Sequence, residues 1–209
     1  LQYLMKSERA QLNRFSLYFS AKSDTLPTLR GLDFDSENAF VVESNLRNDT
    51  IHYWIKDTTL CERDTLTIQL DYLATDTLGQ LVPKTDTLRM VNKIGKERRM
   101  ALAEEARKKE EKERKKREKK GDTLRVETKF LTMNVDAPSE LDINRNIVLK
   151  FDEPVARIDT SAIHVAMMVD SLWQDIPFIF MADSVAPRQY QILANWQPGK
   201  EYQLSLIHI

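Results

Sequence analysis

Short runs of alternating apolar and polar residues recur along the chain. In the first half they cover residues 15–19, 51–55 and 66–72, where every second residue is Phe, Leu, Ile or Tyr. A period of two places one row of side chains on each face of a pleated strand. Each run therefore predicts a strand with one buried face and one solvated face.

The same alternation occurs in the second half, in rows of apolar residues centred on Met133, Leu149, Val165, Phe178 and Leu204. Turn residues rich in Asp, Pro and Gly separate the rows at short intervals. Many short, half-buried strands joined by turns are typical of antiparallel β-sandwiches. The pattern predicts a mainly β protein, with no helix apart from one segment.

That segment, residues 95–122, is bounded by Gly95 and Gly121 and carries a net charge of about +6 between Lys96 and Lys120. Five of its glutamates lie four residues before Lys or Arg, the favourable orientation for ion pairs along a helix. No apolar residue follows Ala106 before Gly121, so the helix lacks a coiled-coil seam. We expect a solvated spacer or surface helix; a disordered segment and a docking site for an acidic partner remain alternatives.

The segment divides the chain into three predicted parts. Residues 1–93 form one β-sandwich, residues 94–121 a charged helical linker or insertion, and residues 122–209 a second β-sandwich. The octets "DTLRMVNK" (86–93) and "DTLRVETK" (122–129) flank the charged run. A variant therefore stays open in which both octets are paired strands and the helix is an excursion from one sheet.

The triplet Asp-Thr-Leu occurs five times, beginning at Asp24, Asp64, Asp76, Asp86 and Asp122. Asp and Thr suit the end of a turn because their side chains bond nearby backbone groups. In this interpretation the third residue, Leu, is the first inward residue of a strand. Four further triplets share the form Asp, hydroxyl residue, then Leu, Ile, Val or Thr.

The widened pattern resembles the acceptor motif for O-glycosylation in some exported bacterial proteins, where Thr or Ser bears the sugar. This resemblance implies sugar attachment at exposed turn–strand junctions, where glycans would shield loops and strand edges. The candidate acceptors are Thr25, Thr50, Thr58, Thr65, Thr77, Thr87, Thr123, Ser171 and Ser184.

Candidate chemistry is sparse. His52 and His164 lie on predicted strands, where a solvated or hydrogen-bonded role is expected rather than catalysis. Cys61 is the single cysteine and has Glu62 beside it, which makes it a poor nucleophile candidate. We expect a protein with no catalytic, cofactor-binding or metal-binding residues.

Acidic residues and tryptophans are candidates for two further kinds of site. Asp33, Asp35 and Glu37 alternate and would share a face of a strand, but calcium needs six or more oxygens and these three are expected to lie on a solvated edge. The tryptophans, Trp54, Trp173 and Trp196, could form a binding platform, although large aromatics in a sandwich more often close its core.

Composition and charge limit the classes of partner that the sequence predicts. Glutamates interrupt the basic run and no aromatic residue is interleaved for base stacking, so nucleic-acid binding is not expected. No apolar run approaches the roughly 18 residues of a membrane span. The chain begins at Leu1 rather than Met and stops within a predicted strand, so we expect a fragment of a longer protein.

The segment "INRNIVLKFDEPVARIDTSAIHV" (143–165), with "WQPGKEYQLSL" (196–206), resembles bacterial Ig-like domains of the S-layer-protein (SbsA) type. The matching features are the strand ending at Phe151-Asp152-Glu153-Pro154-Val155, the Ile158-Asp159 step, and the Pro198-Gly199-x-x-Tyr202 turn. The resemblance covers roughly residues 128–209 and lacks the closing strands of the family.

This resemblance implies Ig-like sandwiches in an exported bacterial protein of the cell envelope, with no catalytic residues to carry over. The expected role is a non-catalytic spacer or adhesive module whose partners are other domains of the same longer chain, and envelope polysaccharide or protein. The alternative is a carbohydrate- or polymer-binding accessory module that uses exposed aromatic residues.

Overall fold

The computed structural model describes residues 1–118 and 131–206. They fall into two compact units, unit 1 within Leu1–Lys129 and unit 2 within Phe130–Ile209. All sheets in both units are antiparallel. The predicted mainly β fold class is confirmed at this level. Residues 122–129, the second of the two octets, lie outside the described residues.

Unit 1 has seven strands in its described part, arranged as one sheet of order β1-β2-β5-β4 and one of order β3-β6-β7. β6 and β7 form the longest ladder, joined by a tight turn at residues 76–80. The strands are β1 (Leu4–Gln11), β2 (Arg14–Phe19), β3 (Thr28–Gly31), β4 (Phe40–Ser44), β5 (Thr50–Ile55), β6 (Thr65–Thr75) and β7 (Leu81–Val91).

The core of unit 1 joins side chains from both sheets into one cluster, so the sheets pack face to face. The three alternating rows predicted in this half supply most of it: the inward residues of β2, β5 and β6 are buried. Phe15 stacks on Tyr53 with ring centroids 5.0 Å apart, and Phe40 meets Phe15 edge-on at 5.4 Å. Burial of each such side chain contributes roughly 1.5–3 kcal/mol.

A short helix, α1 (Thr58–Glu62), connects β5 to β6. The prediction of no helix outside the charged segment is wrong here, because Asp57 acts as an N-cap. Its carboxylate accepts the backbone N–H of Thr59 at 2.8 Å, which satisfies one of the first-turn donors. The buried side chain of Leu60 packs α1 against the core of unit 1.

The carbonyl groups at the end of α1 are bonded by Arg9, a β1 side chain that is 1% exposed. Its guanidinium donates to the carbonyl oxygens of Arg63 at 2.7 Å, Cys61 at 2.8 Å, Leu60 at 3.3 Å and Leu12 at 2.8 Å. Arg9 thus ties β1, the β1–β2 turn and the last turn of α1 together. Burial lowers the pKa of this guanidinium, yet arginine stays charged at neutral pH.

The charged segment forms helix α2 (Lys96–Glu118), and Arg99 in its first turn contacts the end of α1 and the residue before β6. The Arg99 guanidinium pairs with the Asp64 carboxylate at 3.0 Å and donates to the carbonyl oxygens of Glu62 at 3.1 Å and Ile94 at 2.8 Å. Farther along, the ion pairs Glu104–Lys108 and Glu111–Lys115 form at 2.7 Å, four residues apart.

Unit 2 has seven described strands, in sheets of order β12-β13-β9-β8 and β11-β10-β14. A 3₁₀ turn (Thr160–Ala162) precedes β10. The core contains Ile147, Leu149 and Phe151 from β9 and Ile163 and Val165 from β10, again joining both sheets. The strands are β8 (Met133–Asp136), β9 (Ile147–Phe151), β10 (Ile163–Val169), β11 (Leu172–Asp175), β12 (Phe178–Ala182), β13 (Gln189–Ala194) and β14 (Tyr202–Leu206).

An ionic contact links β1 to the end of β7 and predicts an acid-sensitive contribution to stability. The Glu8 carboxylate pairs with Lys6 at 2.9 Å and Lys93 at 3.0 Å, which lowers its pKa from 4.5 to about 2. Because the folded-state pKa is below the unfolded one, this contribution is present above about pH 4.5 and is lost as the pH falls toward 2. Glu8→Gln should lower the urea midpoint at pH 6, and its difference from wild type should vanish near pH 2.

Urea unfolding across pH 2–7 measures this effect, with Glu37→Gln on an exposed loop as the control. A deficit in Glu8→Gln that stays constant from pH 6 to pH 2 would contradict the assignment.

Candidate functional site

The predicted acceptor hydroxyls lie at turns, element starts and one strand edge of the two units. Thr50 and Thr65 are half-buried first residues of β5 and β6, and Thr123 lies outside the described residues. The exposed members are Thr25, Thr58, Thr77, Thr87, Ser171 and Ser184.

Three of the triplets build their turn through the aspartate side chain. The carboxylates of Asp57, Asp76 and Asp183 each accept the backbone N–H two residues later, at 2.8–2.9 Å. Bonds from Thr59 lower the pKa of Asp57, and the backbone N–H groups of Val185 and Ala186 lower that of Asp183. The middle residue of each triplet therefore stands at a rigid, exposed corner.

The Asp170-Ser171 pair forms a two-residue hairpin turn between β10 and β11. Both residues have positive φ, 47° and 65°, which matches a type I′ turn. Asp tolerates this conformation better than most residues. The Ser171 hydroxyl therefore stands at the tip of the hairpin.

The prediction that the third triplet residue turns inward holds for some copies and fails for others. Leu66 and Ile51 are fully buried where β6 and β5 begin. Leu78 is 81% exposed and Leu172 is 67% exposed, because their triplets form the bend of a hairpin. Thr87 belongs to a third case, an exposed position within β7 at the edge of its sheet.

The outer face of the β1-β2-β5-β4 sheet carries a polar network. The Ser16 hydroxyl lies 2.7 Å from Nδ1 of His52, and the indole N–H of Trp54 donates to Glu43 at 2.8 Å. The Arg14 guanidinium lies 4.9 Å from the Trp54 ring centroid. Serine, histidine and glutamate are residue types of nucleophilic sites, but Ser16 is only 4% exposed, so its hydroxyl does not face a cleft. The network serves to hold β2, β4 and β5 together.

The acidic residues at 33–37 do not form a shared face. They lie in the loop between β3 and β4, so the expectation that they share one face of a strand is wrong. The Asp33 carboxylate accepts the N–H of Thr67 at 3.1 Å, and Asp35 accepts that of Glu37 at 2.9 Å. Within residues 1–118 and 131–206, no three His, Cys, Asp or Glu side chains are arranged to hold a metal ion.

Unit 2 contains a groove of about 810 Å³. Trp196 is buried in the wall of the groove and meets Tyr202 edge-on at 4.9 Å, while Trp173 is 45% exposed. The backbone N–H of Gln197 donates to the Tyr202 hydroxyl at 2.6 Å, which fixes that ring. The walls of the groove come from the β8–β9 loop, the β13–β14 loop and β14 itself. We call this cavity the β14 groove.

Sequence reasoning identified Trp173, Trp196 and Tyr202 separately, but not the groove that brings them together. The β8–β9 loop, residues 137–146, carries no periodic signal. The available signal was β14 itself, where Tyr202, Leu204 and Leu206 alternate with Gln203 and Ser205, but this alternation predicts the strand and not the loops beside it.

No protein-family model matches the chain, and no curated protein matches it significantly. Neither helix in the described ranges combines the length and hydrophobicity of a membrane-spanning segment.

Proposed function

We propose that the chain is a structural or adhesive module of an exported bacterial protein, built from two Ig-like units with a charged helix as spacer. The repeated strand order is the observation that carries this proposal. With its strands lettered A to G, unit 1 has sheets A-B-E-D and C-F-G, the arrangement of the immunoglobulin constant type. Unit 2 repeats the order A-B-E-D with β8, β9, β13 and β12.

In Ig-like sandwiches used in series, the segment between two sandwiches sets the distance between them. Helix α2 has 23 residues, about 34 Å at a rise of 1.5 Å per residue. Its ion pairs stabilise it by roughly 0.2–0.5 kcal/mol each. Arg99 supports the spacer role by fixing the direction in which the helix leaves the body of unit 1.

The spacer role predicts a change of distance when α2 is shortened. Deletion of residues 105–111, about two helical turns, should shift the mean separation of the units by up to about 10 Å. Spin labels at Gln80→Cys and Gln174→Cys in a Cys61→Ser background, measured by double electron–electron resonance, report this separation. The matched control keeps the length and has alanine at all seven positions, which replaces six residues and leaves Ala106 as it is. Equal distances in the deletion and the control would refute the spacer role.

The exposed triplet hydroxyls support a second part of the proposal, the display of O-linked glycans. Three of them, Thr58, Thr77 and Ser184, stand at turns in which the preceding aspartate accepts a backbone N–H bond. Sugars at these corners would add bulk and solubility to the loops while leaving the strand faces packed.

Protein purified from its native host should exceed the mass of the bare chain by whole glycan increments in intact-mass spectrometry. Alanine at the six exposed acceptors should remove most of this excess. Thr28→Ala, an exposed threonine preceded by proline rather than aspartate, should leave it unchanged. A native mass equal to that of the bare polypeptide would eliminate glycan display and leave the spacer role standing.

A polymer-binding role through exposed aromatics has narrower support. Trp173 is half-exposed beside the β14 groove. The other large aromatic exposed to a similar degree among the described residues is Tyr3, which belongs to unit 1. Trp54 and Trp196 are buried, which favours the structural role over a contiguous aromatic platform.

A further inference from the structure

One exposed threonine of unit 2 has the same local structure as a predicted acceptor of unit 1, although the sequence pattern leaves it out. Thr160 follows Asp159 but precedes Ser161, whereas the third residue of the pattern is Leu, Ile, Val or Thr. Thr160 begins the 3₁₀ turn before β10, as Thr58 begins α1. Both threonines are exposed. They therefore occupy corresponding positions in their turns.

The aspartates before these two threonines accept the same pair of hydrogen bonds. The Asp57 carboxylate accepts the backbone N–H of Thr59 at 2.8 Å and its hydroxyl at 2.7 Å. The Asp159 carboxylate accepts the backbone N–H of Ser161 at 3.0 Å and its hydroxyl at 2.6 Å. In both turns these two bonds lower the pKa of the aspartate. Serine therefore takes the place of threonine at the third position without changing the turn.

The third side chain differs among the aspartate-bonded triplets, while the backbone bond stays. Asp76 accepts the N–H of Leu78 at 2.8 Å, and Asp183 accepts that of Val185 at 2.9 Å. Neither Leu nor Val has a side-chain group that can donate to the carboxylate. The exposed corner thus depends on the aspartate and on the backbone N–H two residues later, and not on one type of third residue.

Thr50 and Thr65 fit the sequence pattern but lack this local structure. Each is the half-buried first residue of a strand, and the residues that follow them, Ile51 and Leu66, are fully buried. The Thr50 hydroxyl also lies 3.3 Å from the carboxylate of the aspartate before it, to which it donates. On the folded chain a transferase reaches the hydroxyl of an exposed corner more readily than one beside a core residue.

We propose that Thr160 is a further O-glycan acceptor, selected on the folded chain by its exposed hydroxyl and its aspartate-bonded turn rather than by the third residue of the triplet. This inference rests on the glycan display proposed above and adds a site to it. Selection on the folded chain also means that Thr50 and Thr65 stay without sugar.

The attachment is a glycosyl transfer from a glycosyl diphosphate donor to Oγ1 of Thr160. The bond between the anomeric carbon of the donor and its phosphate oxygen breaks, and a bond from that carbon to Oγ1 forms. The diphosphate leaves with the electron pair, and the hydroxyl proton passes to a base of the transferase. The Ser161 hydroxyl donates to Asp159, which favours Thr160 over Ser161 as the acceptor.

The test uses the full chain purified from its native host, with alanine at all nine predicted acceptors. This variant should keep one glycan increment in intact-mass spectrometry, and the addition of Thr160→Ala should remove it. Asp159→Ala in the same background should also remove the increment, because Thr160 is then present without its turn. The matched control is Ser139→Ala, an exposed serine preceded by proline, which should leave the increment in place.

Peptide mapping of the wild-type chain makes the test independent of how the alanine variants fold. The tryptic peptide of residues 158–188 should carry sugar, and electron-transfer fragmentation should assign one glycan to Thr160 and none to Ser161. Glycans at other sites with a bare Thr160 would overturn this inference and leave glycan display standing. Sugar on Thr50 or Thr65 would also overturn it, because addition would then precede folding. A wild-type chain without any glycan would refute both proposals.

Discussion

Replacement of Arg9 by methionine should lower the free energy of unfolding of unit 1 by about 3–5 kcal/mol. Its guanidinium supplies donors to four carbonyl oxygens, three of them at the end of α1. A bond from a charged donor contributes about 1.5–3 kcal/mol, and a buried acceptor left without a partner costs its desolvation energy. Methionine fills much of the same volume, so the loss reports hydrogen bonding rather than an empty cavity.

Chemical denaturation monitored by circular dichroism measures the loss, with two controls. Arg30→Met, on an exposed position of β3, should change stability by less than about 0.5 kcal/mol. Arg9→Lys keeps the charge but not the planar fork of donors, and should recover only part of the loss. Wild-type stability in Arg9→Met would show that the α1 carbonyls find other donors.

The burial of Arg9 could not be predicted from the sequence pattern. In "KSERAQ" it has the look of a solvent-facing residue, and nothing in the local pattern distinguishes it from Lys6. It is buried because α1 ends directly above it, a contact across more than 50 residues of sequence. Alternation predicts only which face of a strand is apolar. It does not predict that a polar side chain is buried because it donates hydrogen bonds to carbonyl groups that are distant in sequence.

Strands in which apolar and polar residues alternate regularly could be predicted, whereas edge strands were harder to predict. The rows at Phe15, Ile51 and Leu66 were identified because one face of each strand is buried by the opposite sheet. β7 was anticipated only in part, as the octet 86–93 in the variant with paired octets, because most of its residues are exposed at a sheet edge, which removes the apolar period. β3 and β4 are short and lie at edges as well.

The triplets were partly predictable, for a related reason. Asp before a hydroxyl residue does favour a turn, as Asp76 and Asp183 show with their bonds to later amides. Whether the third residue of a triplet is buried depends on the register of the strand after the turn. Leu66 lies near the start of the long strand β6 and is buried, whereas Leu78 lies in a hairpin turn and is exposed. The groove beside β14 depends on which strands neighbour it, and that information is not local.

The reciprocal pair Phe15→Ala and Phe151→Ala should show that each unit depends on its own core. Phe15 is fully buried in unit 1 and stacks on Tyr53, and Phe151 is 6% exposed in unit 2, edge-on to Tyr190 at 5.6 Å. Each substitution removes a buried ring and leaves a cavity, at a cost of about 3–5 kcal/mol. Because the two residues belong to separate core clusters, each loss should be confined to the unit that carries it.

Residue-resolved hydrogen exchange separates the two effects. In Phe15→Ala, amides of β2, β5 and β6 should lose protection while those of β9, β10 and β13 keep it, and Phe151→Ala should do the reverse. Phe15→Leu serves as the control, because it keeps an apolar side chain and should lose less stability than the alanine variant. Loss of protection in both units from either alanine variant would mean that the chain unfolds as one cooperative body. In that case a module of two separately stable sandwiches would no longer be tenable.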